Sequence, residues 1–260
     1  METLDFSIDN GVARIVLNRP GAGNTLNGAM GRDLMEAALQ CDEDPAIRAV
    51  LLTGAGDVFC FGGDLKHFVS EADRIGPMIK QITTYLHSAI SRFIRMQKPM
   101  VVAVNGTAAG AGVSLSALGD VVLAGESATF TAAYTAAGLS PDGGSTYLLP
   151  RLIGMRRAQE LFFTNRKLSA AEAADWGLIT RVVPDGDLMA EAEKLVNALA
   201  NGPTAAFGTV KTLLAETMST PLESQLEQEA RGIARNAQGA DGREGVRAFV
   251  EKRAPVYTGE

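Results

Sequence analysis

A chain of 260 residues, 46% of them hydrophobic, can fill one large core, and 30 acidic against 24 basic side chains (net charge −6) leave no general cationic surface for nucleic acid or anionic lipid. No apolar run reaches the roughly 18 residues of a membrane span, and the acidic opening METLDFSIDNGV is unlike a secretory leader, so a cytoplasmic protein is expected. Two cysteines, Cys41 and Cys60, and two histidines, His67 and His87, are too few to suggest a metal site, and the thiols are expected to be reduced.

Taken in chain order, LDFSIDNGVARIVLNRP alternates apolar and polar residues on both sides of Asp9-Asn10-Gly11, which predicts a β-hairpin ended by Pro20. MGRDLMEAALQCDED has helical spacing through Leu34, Ala37 and Ala38, and AIRAVLLTG has the continuous apolar run of a buried strand. FCFGGDL, residues 59–65, then sets two adjacent glycines at the end of that strand. Residues 73–97 predict one long helix, stopped by Lys98-Pro99. MVVAVNGTAAGAG repeats the earlier device: an apolar strand, a turn glycine (Gly106, as Gly54 before), a loop of small residues, and a helix from about Gly112. GDVVLAGESATF adds one short strand. After Pro150 the spacing predicts helices over 154–164, 169–176, 186–200, 203–218 and 221–236. The expected organisation is a repetitive β-β-α core over 1–200 and a helical region over 201–260, packed on that core or on another subunit.

Small residues at a strand end can serve close packing alone. They also leave main-chain N–H groups open to a ligand oxygen. Two such groups from separate loops make an oxyanion hole, in which losing one donor typically costs about 3 kcal/mol of transition-state stabilisation. Two similar loops in one chain favour that second use, with the dipole of the following helix adding to it.

FCFGGDL resembles the F-C-A-G-x-D-L motif of the crotonase superfamily of acyl-coenzyme A enzymes, and KPMVVAVNGTAAGAG resembles its K-P-V-x-A-A-V-N-G-x-A-x-G-G-G motif. The similarity continues through GLSPDGGSTYLLPRLIG, LSAAEAADWGLITRVVP and REGVRAFVEKRAP, so it covers essentially the whole chain. The resemblance implies an α/β fold, a spiral of β-β-α units with a C-terminal helical trimerisation region. It implies a homo-oligomer (trimer or hexamer) and an acyl-coenzyme A thioester substrate, coenzyme A entering as part of that substrate with no other cofactor. Matched position by position, it puts the two oxyanion N–H groups on Gly63 and Ala111, with Phe61, Gly62, Asp64, Leu65 and Gly110 around the substrate. Lys66 and Lys252 match positions that meet the nucleotide phosphates, Lys252 across a subunit boundary.

The departures bear on the reaction. Hydratases of this superfamily use two glutamates, and this chain has Ser114 and Tyr134 at those positions. A carboxylate stands instead at Asp142, in SPDGG, a place that a turn residue would also suit. One carboxylate beside a polarised thioester suffices to move a proton from one carbon to another, so the pattern is most similar to enoyl-coenzyme A isomerases, in particular ring-processing ones of phenylacetate degradation. GMRRAQELFFTNRKL and DWGLITRV also resemble the chlorobenzoyl-coenzyme A dehalogenases, with Asp142 as nucleophile and His87 as base, although Tyr134 stands at their tryptophan position. A hydratase of low activity and a non-catalytic acyl-coenzyme A binder are further alternatives. GVSLS, residues 112–116, lacks the final glycine of a serine-hydrolase elbow, and GAGVSL lacks the third glycine of a dinucleotide loop.

Overall fold

A computed structural model describes residues 1–260. The hairpin forms as read, β1 (Leu4–Asp9) antiparallel to β2 (Val12–Leu17) about Asn10 and Gly11. Helix α1 (Gly28–Glu43) follows, its first turn capped by Asn27, whose side-chain oxygen accepts the Met30 N–H at 2.9 Å. Three strand pairs come next, each placing its first strand in one sheet and its second in another. They are β3 (Ala49–Gly54) with β4 (Val58–Cys60), β5 (Met100–Val104) with β6 (Thr107–Ala109), and β7 (Val121–Gly125) with β8 (Thr129–Thr131). Between the first two pairs lie α2 (Leu65–Ser70) and α3 (Ile75–Arg95), and after the second pair comes α4 (Ala111–Ser116).

The rest is mostly helical: α5 (Ser145–Ile153), α6 (Met155–Thr164), α7 (Ala170–Trp176), α8 (Leu188–Ala200), α9 (Thr204–Glu216), α10 (Leu222–Gln238) and α11 (Ala240–Glu251). Two short strands interrupt it, β9 (Leu168–Ser169) and β10 (Arg181–Val183). One sheet runs β1-β2-β3-β5-β7-β10, parallel from β2 onward, and the other β4-β6-β8-β9, parallel but for β9. This is the spiral of β-β-α units expected from the sequence.

The apolar runs of β3 and β5 are continuous because both faces of the larger sheet are covered. Val50, Leu52, Val102 and Val104 point into the main core with α1 and α3, while Ala49, Leu51, Val101 and Ala103 point to α8. Past residue 200 the regular structure is wholly helical, and α9 is bolted to the core by Lys211. Its buried ammonium donates to the carbonyls of Phe93 and Lys98 and meets Asp120 at 2.7 Å.

Several expectations are corrected. The helix placed over 73–97 runs Ile75–Arg95, after a separate 3₁₀ turn at Ala72–Arg74. The single strand expected in GDVVLAGESATF is two, β7 and β8, one for each sheet. The region before Pro150 is already helical. Pro150 sits inside α5, where the donor it lacks would have met the carbonyl of exposed Thr146. No helix is long and apolar enough to cross a membrane.

Candidate active site

The loop after β4 is threaded against residues 23–26 like one more strand. Phe61 N–H donates to the Gly23 carbonyl at 3.0 Å, Leu26 N–H to Gly62 O at 2.7 Å, and Asp64 N–H to Leu26 O at 3.0 Å. The Gly62 N–H turns back onto the Cys60 Sγ at 3.3 Å. This alternation leaves the Gly63 N–H pointing away from the 23–26 segment, free of a partner there. Asp64 closes the loop: its carboxylate accepts the His67 N–H at 3.1 Å as the cap of α2 and pairs with Arg19 at 3.0 Å. Burial opposes ionisation of Asp64, but the His67 N–H and the Arg19 guanidinium outweigh it and hold the carboxyl below its ordinary range.

The second loop is fixed by burial. Gly110 N–H donates to Thr131 O at 3.0 Å, and α4, buried along its whole length, starts at the next residue. Ala111 is the first residue of that helix, so its N–H has no partner within it. The two loops touch at Gly62. With φ at +86°, a β-carbon there would lie 2.8 Å from Ala109 O and 3.1 Å from Ala111 N, so only glycine allows the approach.

Gly63 and Ala111 line one cavity of about 330 Å³, together with Leu26, Phe61, Leu65, Phe68, Ile79, Ile82, Leu86, Gly110, Tyr134 and Asp142 among others. Twelve of its seventeen lining residues are hydrophobic, and Asp142 is the sole carboxylate among them. The Asp142 main chain is tightly held. Its carbonyl accepts from Ser145 Oγ at 2.8 Å, Ser114 Oγ at 3.2 Å and Tyr134 Oη at 3.4 Å, while its carboxylate forms no ion pair. Burial first, and the Asp142 charge second, push the Tyr134 phenol above its ordinary value, so it stays protonated.

The structure thus gathers Phe61, Gly63, Leu65, Gly110, Ala111, Tyr134 and Asp142 at one cavity. Gly62 and Asp64 shape its wall without lining it. Lys66 and Lys252 are exposed and outside it, Lys252 ending α11 in a left-handed conformation. His87 lies off the cavity on the exposed side of α3, where its Nε2 accepts the Gly143 N–H at 3.3 Å. His67 contributes its main chain to the α2 cap. Sequence reading missed three supports, Arg19, Leu26 and Cys60. Of these only Cys60 carried a signal, its place inside FCFGGDL. No group of three or more His, Cys, Asp or Glu side chains is placed to hold a metal ion.

The family model for enoyl-CoA hydratase/isomerase matches residues 7–260. The chain belongs to the enoyl-CoA hydratase/isomerase family. As such it is an enzyme-family member acting on acyl-coenzyme A thioesters. It is 39% identical over 263 residues to the 1,2-epoxyphenylacetyl-CoA isomerase of Escherichia coli (strain K12), with all of both chains covered. A Rhodobacter capsulatus protein named "Probable enoyl-CoA hydratase" is 43% identical over 257 residues, covering 99% of this chain and 98% of that one. The 4-chlorobenzoyl coenzyme A dehalogenase-1 of an Arthrobacter species is 35% identical over 225 residues, 86% and 82% of the two chains. Among solved structures, an enoyl-CoA hydratase from Polaromonas sp. JS666 superposes with a TM-score of 0.93 at 33% identity, covering 98% and 99%. Relatives named for different activities therefore match most of this chain, and the cavity's own chemistry must separate them.

Proposed function

We propose that this protein is an enoyl-coenzyme A isomerase, acting on a double bond or a ring, in which Gly63 and Ala111 form the oxyanion hole and Asp142 moves the proton. The observation that carries this reading is that one carboxylate residue, Asp142, lines the apolar cavity that Gly63 and Ala111 also line. The thioester oxygen sits between the two N–H groups, and the α-carbon faces Asp142. The carboxylate takes the α-proton, the electron pair moves into the thioester to form a dienolate whose oxygen the N–H groups hold, and the same proton returns at the γ-carbon. The double bond shifts by one position with no net gain or loss of atoms.

Hydration would need a second acid or base for water, and the two places that matched glutamates carry Ser114 and neutral Tyr134. Both hydroxyls are engaged on the Asp142 carbonyl, where they fix the base. Aroyl dehalogenation would need an imidazole free to activate water, and the His87 Nε2 is occupied by the Gly143 N–H. Lys66, one residue past cavity-lining Leu65, is offered to the coenzyme A phosphates.

This reading includes a homo-oligomer, trimer or hexamer. Leu214, Met218, Leu222 and Ile233 on and between α9 and α10 are exposed apolar side chains, and Lys252 would reach a neighbouring subunit's ligand. A stable monomer in sedimentation at micromolar concentration overturns the assembly.

The test is a panel of straight-chain, cyclic and aromatic acyl-coenzyme A thioesters, read by ultraviolet absorbance and by mass, since hydration adds a water and isomerisation adds nothing. Asp142→Asn keeps the turn but cannot accept a proton. It is expected to lower isomerisation by about 10²–10⁴-fold while thioester binding persists. Wild-type turnover in this variant, or a hydrated product from the wild type, overturns the assignment.

A further inference from the structure

The hydrogen bond between His87 and Gly143 lies just behind the base and has no role in the chemistry above. We propose that His87 is a positioning residue that holds the Asp142 loop in its working conformation only while its imidazole is neutral. The inference rests on the isomerase reading, because it assigns His87 its effect through Asp142.

Gly143 and Gly144 follow the base directly, both left-handed with φ at 59° and 72°, which is a conformation the chain leaves easily unless it is tied. On one side Gly143 is pressed against Ser114, where a β-carbon would lie 2.9 Å from the Oγ. On the other side its N–H donates to His87 Nε2 at 3.3 Å. The Asp142 peptide is therefore gripped from two faces, by the hydroxyls of Ser114, Tyr134 and Ser145 on its carbonyl and by the imidazole on the next N–H. A neutral imidazole can offer Nε2 as an acceptor, whereas a protonated one carries a hydrogen on both nitrogens and cannot.

Charged groups from several elements surround the imidazole. On α3 itself Arg92 and Arg95 lie beside it, Arg92 already paired with Asp42 at 2.9 Å. From α5 come Tyr147 and Arg151, stacked on each other at 3.5 Å. Lys211 of α9 lines the same surface cleft with its partner Asp120, whereas the Asp142 residue lines the apolar cavity on the other side of the loop. The geometry is that of an acceptor at an exposed rim, open to solvent protons, rather than of a base inside the cavity. As pH falls the latch opens, the loop gains freedom, and the carboxylate loses its aim at the α-carbon.

The experiment compares wild type, H87A, H87Q and D142N on the thioester that the wild type turns over fastest in the panel, and follows amide exchange at Gly143 without substrate. H87A is expected to lose about tenfold in kcat, the cost of a misaimed base, with KM changed less than about twofold. Its Gly143 amide should exchange faster than in the wild type. H87Q, whose side-chain oxygen can accept the same N–H, should keep kcat within about threefold at pH 8 and slow exchange at Gly143, and the acid limb of its kcat profile should move to lower pH.

Wild-type kcat in H87A overturns the latch, as does an unchanged acid limb in H87Q. Equal loss in H87A and H87Q also overturns it, because that pattern marks imidazole chemistry rather than an acceptor. An inactive D142N with a normal H87A removes the latch alone, whereas an active D142N removes both this inference and the isomerase reading.

Discussion

The two loops that bring Gly63 and Ala111 to the cavity are built from opposite materials. The first, residues 59–65, runs near the surface, with Phe61 and Leu65 about half exposed, and polar side chains hold it in place: the Arg19–Asp64 pair, the Asp64 cap on α2, and the sulfur of Cys60. The second, residues 107–112, is largely buried, carries no charged side chain, and is held by strand pairing of β6 with β8 and by the start of α4. The same proposed role, presenting an N–H donor, would be reached by charge in one loop and by packing in the other. Charge can be tuned by pH and salt and tolerates substitution; packing does neither. Variants in the second loop should therefore act on the chemistry or the fold abruptly, and those in the first should act by degrees.

Among variants of the two loops, the largest effect is expected from Ala111→Pro. The substitution deletes the proposed donor at the first position of α4, where a helix accepts proline, and should reduce kcat by about two to three orders of magnitude. Circular dichroism and thioester affinity report whether the fold and the cavity survive. A folded variant with near-normal turnover removes Ala111 from the mechanism and makes the buried loop a packing device only.

Gly62→Ala tests the place where the two loops meet. The added carbon faces the Ala109 carbonyl at 2.8 Å in a left-handed backbone, so the first loop must lift off the second. A loss of stability of about 1–3 kcal/mol is expected, with a drop in kcat that exceeds any rise in KM. If the melting temperature falls and kcat does not, the loops are coupled in folding but not in aim.

How much of this was legible in the sequence follows from the same contrast. FCFGGDL and VNGTAAGAG announced bare backbone at strand ends, and the hairpin, α1, β3 and β5 stood out by periodicity or by continuous apolar runs. The second sheet did not, because β4, β6 and β8 have three residues each, too few to show an alternation. Pro150 hid α5, since a proline late in a short, partly buried helix looks like a break. At the site, Asp142 and the two loops could be read because they depart from or match a motif. The Arg19–Asp64 pair spans 45 residues and the Ser114–Asp142 contact 28, and no local pattern encodes either. His87 was legible as a residue but not in its direction, which depends on how α3 is rotated against the loop after β8.

Arg19→Gln probes the charged loop and should cost about 1–2 kcal/mol, between the values for exposed and buried pairs. The pH dependence gives the sign. Asp64 has its folded-state pKa lowered, so its contribution is present above the unfolded value and lost as pH falls through the folded one. The difference in melting temperature between wild type and the Arg19 variant should accordingly shrink on acidification and stay flat from pH 6 to 8. A difference that persists in acid would mean that Arg19 acts through its contacts with Thr25 rather than through charge.

The smallest effect on turnover is expected at Cys60, and it separates anchoring from reactivity. The thiol is fully buried, and burial pushes its pKa up to about 12 even though the Gly62 N–H pulls the other way, so it is an acceptor and not a nucleophile near neutral pH. Cys60→Ala would leave the buried Gly62 N–H without a partner, at a cost of about 1–3 kcal/mol less whatever a reoriented loop recovers, and Cys60→Ser should recover most of it. Turnover should change less than about threefold in either variant, because the Gly63 N–H is also aimed by the pairing of its neighbours with Leu26. Alkylation of the native protein at pH 8 reads the same point kinetically. Rapid labelling of Cys60 without loss of structure would show that the first loop opens as a unit, and its exposed, charge-held construction would then be a hinge rather than a clamp.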